Sequence, residues 1–274
     1  MNKHPVVIGV KDQQPSAVQF AVEAAKARGV GLRVVHCVDR LVTGDVVVAA
    51  SSAWRTAGQE VLDSAHQLIA EDPSPPQAEY DLTAGSPRDV LKDAAETAAL
   101  VVVGTDPVGR MDRLFSGKVT EYLAKHSPAP VAIIPESSWQ SSGGGVFVAL
   151  DARSLATGPL RFAFGEASRR DNLLYVVHVV PEDTARNDAE AVRAEIAEVL
   201  AGWSSEYPDV RVTHRLLFED ADDGCLRASA EADLLLLGRF KVPAIPGRPA
   251  HPVLTQIARR AHCPTIVVPD AWNA

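Results

Sequence analysis

Cysteine is scarce in this sequence. Cys37, Cys225 and Cys263 are the three in 274 residues, an odd number without C-x-x-C spacing, which speaks against a disulfide framework or a thiolate metal site. Long apolar runs are missing as well. No stretch approaches the roughly 18 apolar residues that a membrane helix needs, and the run in MNKHPVVIGV is too short for the hydrophobic region of a signal peptide. Positive charge is also short: 27 Lys and Arg face 35 Asp and Glu, a formal net charge of -8. That balance disfavours broad, charge-driven binding to nucleic acid or anionic lipid. These absences predict a cytoplasmic protein that engages neither nucleic acid nor membrane, while a neutral or cation-chelated small ligand stays open. What the sequence does have is 46% hydrophobic and 23% charged residues, the mixture of a chain with a packed core. At roughly 100 to 200 residues per domain, its length fits two modest domains.

The chain repeats one order of elements. In the first half, β-branched runs at 6–10 and 32–38 alternate with helical faces at 16–28 and 54–69. A weaker strand follows at 78–82. Ser86-Pro87 then opens a helix, with Ser86 as the expected N-cap and Asp89 three residues on. A buried-type strand at 100–103, a helix at 116–126 and a last strand at 131–134 complete the half. The second half runs through strands at 146–150, 173–180, 210–217 and 234–237, helices near 155–168, 183–205 and 224–232, and a final helix and strand. VVHCV echoes VVHVV, LVVVG echoes LLLLG, and SPAPVAIIP echoes AHCPTIVVP. Gly104 and Gly238 stand 134 residues apart, as do Pro130 and Pro264, and Pro135 and Pro269. The boundaries expected are a first domain at 1–136, a flexible linker at 137–145 containing SSGGG, and a second domain at 146–274.

Short strands without a polar face, alternating with helices, indicate parallel sheets covered on both sides. Right-handed crossovers then give two α/β, doubly wound, Rossmann-like domains. Such sheets bind ligands at the carboxyl ends of their strands, where the strand order reverses. A site is therefore expected after strand one, two or four of each half.

The residues at those points resemble the universal stress protein family in its tandem two-domain form, over nearly the whole chain. The likeness is carried by VVIGV with its polar loop and Ser16, by ARGVGLRVVHCVD, and most specifically by LVVVGTDPVGRMDRLFSGKVTEYLAKHSPAPVAIIP. The resemblance implies an open, mainly parallel five-stranded sheet in each domain. It also implies, for the ATP-binding branch, an Asp after strand one, a backbone contact after the His of strand two, and a G-x2-G-x9-G-[ST] loop after strand four. The ligand implied is ATP or another adenine nucleotide, with or without Mg²⁺. Such an Asp would accept from ribose hydroxyls, and glycines let backbone N–H groups approach phosphates at a helix N-terminus.

On this pattern the first half offers Val10 and Lys11, Cys37 after His36, and Gly104, Gly117, Lys118 and Val119. Lys11 stands where the Asp belongs, Pro107 where the second glycine belongs, and Lys118 at the hydroxyl position, from which it could reach a phosphate. The second half keeps Asp151, Val179 after His178, and Gly238. Lys241 replaces its second loop glycine, His251-Pro252 stands for Gly-Ser, and four prolines stiffen the loop, partly offset for an anion by Arg239, Lys241 and Arg248. Each half keeps what the other has lost.

Sharper motifs fail on their residues. GTDPVGR has a G-x4-G frame, but Arg110 and Met111 stand where a phosphate loop needs Lys and Ser or Thr. The histidines lack metal-ligand spacing, and His36 and His178 recur at equivalent strand positions, which favours a structural role. Glu219, Asp220, Asp222 and Asp223 read as the charged start of a helix before Mg²⁺ ligands. The cysteines read as packing residues, and no nucleophile frame such as G-x-S-x-G occurs. The function expected is a non-catalytic stress-response module, regulatory or protective, with a degenerate nucleotide site. A ligand-free scaffold acting through protein partners is the alternative. The resemblance further implies pairing of the two domains through their last strands, which would cover exposed edges, and a homodimer of chains.

Overall fold

Strands that are apolar at every position need cover on both faces, and the computed structural model provides it in each half. It describes residues 4–38, 41–43, 46–48, 52–105, 116–136, 143–151, 157–180, 182–239 and 252–273. The chain divides into two units, Met1–Ser138 and Trp139–Ala274.

The first unit runs β1 (Val6–Val10), α1 (Pro15–Arg28), β2 (Leu32–Val38), β3 (Leu41–Thr43), β4 (Val46–Val48), α2 (Ser52–Ala70), β5 (Ala78–Ala84), α3 (Pro87–Ala95), β6 (Leu100–Thr105), α4 (Ser116–His126) and β7 (Val131–Pro135). Its parallel sheet has the order β7-β6-β1-β2-β5. The chain winds outward from β1 in one direction and returns to wind in the other, so the order reverses between β1 and β6. Val6, Val7, Ile8, Leu100, Val101 and Val102 are fully buried at that centre, each stabilising the fold by about 1.5 to 3 kcal/mol against exposure.

The second unit runs β8 (Val146–Asp151), α5 (Thr157–Arg170), β9 (Leu174–Val180), α6 (Glu182–Glu206), β10 (Val212–Phe218), α7 (Ala221–Glu231), β11 (Leu234–Arg239), α8 (Pro252–Arg260) and β12 (Thr265–Pro269). Its order is β10-β9-β8-β11-β12, again parallel, with the reversal between β8 and β11. Both units are therefore α/β and doubly wound. Among the described residues no helix is long and apolar enough to cross a membrane.

Details of the elements differ from the sequence-based expectations, and α7, expected near 224–232, already begins at Ala221. An antiparallel hairpin, β3 with β4, follows β2 where no element was expected. The strand expected at 210–217 begins at Val212 and ends at Phe218, its start delayed by Tyr207 to Val210, where the Val210 N–H bonds back to the Tyr207 carbonyl. Ser86 does occupy the N-cap of α3, yet its side chain makes no capping bond, so Pro87 and Asp89 set that helix start.

Candidate functional site

The registers align the two units residue by residue. Val10 lies opposite His36 in the first unit, and Leu150 opposite His178 in the second. Lys11 and Cys37, one step further, are thus the counterparts of Asp151 and Val179, which pair directly. All four stand at the carboxyl ends of their strands.

In the first unit Val10 is buried and its carbonyl accepts from His36 Nδ1 at 2.8 Å, which places the ring proton on that nitrogen. Gly58 of α2 lies over the ring: a Cβ there would sit 3.1 Å from His36 Cδ2. His36 therefore ties β1 to β2 beneath α2. Lys11 is exposed and Cys37 half-buried. On α4, Gly117 and the exposed Lys118 lie in the first turn, followed by the half-buried Val119. Pro107, Arg110 and Met111 lie outside the described residues.

Gly104 reveals a neighbour that the sequence did not point to. A Cβ on this buried glycine would sit 2.5 Å from Gln14 Nε2 and 3.0 Å from Gln14 Cδ. Gln14, 3% exposed, occupies the N-cap of α1, but its side chain makes no capping bond and lies over Gly104. The N-terminus of α1 is served from elsewhere. Glu136 Oε1 accepts from the Ala17 N–H at 3.4 Å, and the Ser16 N–H and hydroxyl also donate to this carboxylate. Burial pushes the Glu136 carboxyl above its ordinary range, the donors at Ala17 and Ser16 oppose the shift, and the charge of Asp12 adds to it.

In the second unit Gly238 is buried on β11 and Arg239 beside it is half-buried. Burial lowers the Arg239 pKa from its ordinary value, while the charge of Asp270 works against that. Asp270 follows Pro269 as Glu136 follows Pro135. This corner closes through backbone: a Cβ on Gly158, in the first turn of α5, would sit 2.5 Å from the Asp270 carbonyl oxygen and 2.6 Å from that of Pro269. Val179 is half-buried under α7, close enough that a Cβ on Gly224 would meet its Cγ2 at 2.8 Å. Lys241, Pro243, Pro246, Arg248, Pro249 and His251 lie outside the described residues, whereas Pro252 opens α8.

His178 is 1% exposed, its ring 6.1 Å from that of His214 in an edge-on contact. Burial, aided by Arg193, draws the His214 pKa below its ordinary value. Cys225 and Cys263 are buried with thiols pushed up to about 12, so both stay protonated and weakly nucleophilic. Glu219 pairs with Arg227 at 2.8 Å, Asp220 is the N-cap of α7, and Asp222 and Asp223 lie in its first turn. Among the described residues no three His, Cys, Asp or Glu gather as a metal cage would require.

The model described as the universal stress protein family matches residues 3–135 and again 145–269. A universal stress protein of Mycobacterium tuberculosis is 26% identical over 289 residues, covering 97% of this chain and 96% of its own. One from Mycolicibacterium smegmatis is 24% identical over 285 residues, covering 97% of each. Among solved structures, a universal stress protein from Archaeoglobus fulgidus superposes with a TM-score of 0.73 at 15% identity, covering 99% of this chain and 100% of that one.

Proposed function

The chain belongs to the universal stress protein family, matched twice in tandem, and from that premise we propose that it is a cytoplasmic, non-catalytic regulatory or protective module that binds an adenine nucleotide. The observation that carries the proposal is the register placing Asp151 at the end of β8 directly beside Val179, at the reversal of strand order with Gly238 across it. That is where an open parallel sheet receives a ligand. A carboxylate there suits ribose hydroxyls, at about 1.5 to 3 kcal/mol per charged hydrogen bond. Arg239 supplies positive charge for phosphates. In the first unit Lys118, in the opening turn of α4, takes the same part. A homodimer of chains belongs to the proposal and is checked by sedimentation.

The test is a thermal-shift or calorimetric titration of the intact chain with ATP, ADP and AMP, with and without Mg²⁺. A binder at one hundred times its dissociation constant gains about 2.7 kcal/mol of stability. Asp151→Asn is expected to weaken nucleotide in the second unit, and Lys118→Ala in the first, each by about 1 to 3 kcal/mol. No shift at millimolar nucleotide defeats the proposal. Phosphate release that disappears on changing a site residue would instead establish turnover.

One observation favours a second reading, a scaffold acting through protein partners. The Gln14 side chain already fills the space over Gly104, and a pocket filled by its own chain needs no ligand to be stable. Unchanged stability in every nucleotide titration, together with a partner captured by the intact chain and lost on changing an exposed residue, would favour it.

A further inference from the structure

We infer that the first unit carries its own anion at the reversal of strand order: the Glu136 carboxylate, lodged on the N-terminus of α1 beside Gln14, excludes phosphate groups from the first turn of α1 and makes the unit favour nucleotides with few phosphates over those with many. This rests on the nucleotide proposal and adds the ligand class that one of the two units accepts.

A helix N-terminus concentrates partial positive charge and unpaired N–H donors, and it settles near an anion when one is available. The local candidate is the N-cap residue, but Gln14 is turned onto Gly104. The donors of Ser16 and Ala17 go to Glu136, a residue 119 positions beyond Ala17. Such a contact exists only in the folded unit and brings a carboxylate to the exits of β1 and β7, with Asp12 close enough to be felt. A phosphate arriving at α1 would compete with this carboxylate for the same donors and meet its charge. Like charges brought together are disfavoured strongly enough to dominate selectivity.

At the matching corner of the second unit the described residues differ: the charge of Asp270 bears on Arg239, and Gly158 in the first turn of α5 lies against the carbonyls of Pro269 and Asp270. The exclusion concerns the first unit.

The experiment uses the intact chain labelled for NMR, titrated with adenosine, AMP and ATP and followed through the amides of Gly104 and Lys118, which report the first unit. Glu136→Gln keeps the shape and removes the charge. It is expected to tighten ATP by about tenfold or more while adenosine changes less than about twofold. Gln14→Ala, which vacates the space over Gly104, is expected to tighten both alike. ATP affinity unchanged or weakened in Glu136→Gln, or adenosine and ATP tightened equally by it, overturns the inference. If the wild type binds adenosine under either of those outcomes, the nucleotide proposal survives without it. Independently of any ligand, the amides of Ser16 and Ala17 are expected to titrate with the Glu136 carboxyl carbon. Amides that ignore that titration remove Glu136 from α1 and overturn the exclusion.

Discussion

The two units share the register of their central strands but not what hangs on them. Val6 pairs with Leu32 as Val146 pairs with Leu174, and β2 with β5 runs in step with β9 and β10. At the position of Val7, Arg33 and Asp81 in the first unit, the second has Phe147, Tyr175 and Arg215. A half-buried ion pair, Arg33 to Asp81 at 2.5 Å, is thereby exchanged for a guanidinium 4.3 Å from the Tyr175 ring and 5.2 Å from that of Phe147, held also by Glu231 at 2.6 Å. Tyr80, bonded to His66 Nδ1 at 3.0 Å, is exchanged for His214 against His178. The buried face of α1 is built from Ala, Val and Phe, whereas α5 buries Glu166 between Arg169 at 2.8 Å and Arg170 at 3.3 Å. Buried strand runs are held by every neighbour at once and persist in both copies. Groups at strand ends and on half-open faces answer to one or two partners, so each copy has found its own.

The largest test of this contrast sets Gly158→Ala against Gly104→Ala. The added methyl meets backbone in the second unit but the end of a side chain in the first. Overpacking against backbone is expected to cost about 2 to 3 kcal/mol, and displacing Gln14 less than about 1 kcal/mol, read by hydrogen exchange in peptides from each unit. Next, Glu166→Ala is expected to cost about 2 kcal/mol in the second unit, because Arg169 and Arg170 can still reach water. Changing an alanine of α1 to Glu would not reproduce the contact.

Acid should separate the units further. The folded pKa of His214 lies below its ordinary 6.5, so the unfolded chain binds more protons beneath that value. Its contribution is complete above pH 6.5 and declines as pH falls toward the folded pKa. Glu136 has the opposite sign: raised above 4.5 in the folded unit, its contribution is present in acid and lost as pH rises through its folded value. Protection is thus expected to fall first in the second unit between neutrality and mild acid, and His214→Gln should flatten that decline. The smallest effects belong to the open faces. Arg215→Ala is expected to cost about 1 kcal/mol through lost ring contact, and Asp81→Ala less, about 0.5 kcal/mol, since an ion pair whose side chains stay more than a third open to water contributes little.

How far these features were legible depends on how local they are. The strand runs at VVIGV and LVVVG and the repeat of Gly104 at Gly238 specify the sheet through burial alone, so the architecture was readable from spacing. The hairpin at 41–48 is no part of the repeated order, yet LVT-GD-VVV carries its mark, two turn-forming residues between β-branched runs. Lys118 and Asp151 could be located on their elements, but Gln14 and Glu136 could not be joined, since nothing local ties residue 17 to residue 136. One signal was present: an acid follows the repeated proline at both 136 and 270, at the same spacing of 134 that marks the glycines.

Gly145 and Asp233 make a reciprocal clasp at the entrance to β8. The Asp233 N–H donates to the Gly145 carbonyl at 3.0 Å, and the Gly145 N–H donates to Asp233 Oδ2 at 3.1 Å. With φ at +92° and Leu173 and Tyr175 pressed close, Gly145 admits no larger residue. The starting point of the second copy is accordingly written into its own interior, in a residue 88 positions downstream. Whatever is spliced ahead of residue 143 inherits the same first strand, which makes this glycine the natural seam for exchanging one copy between relatives.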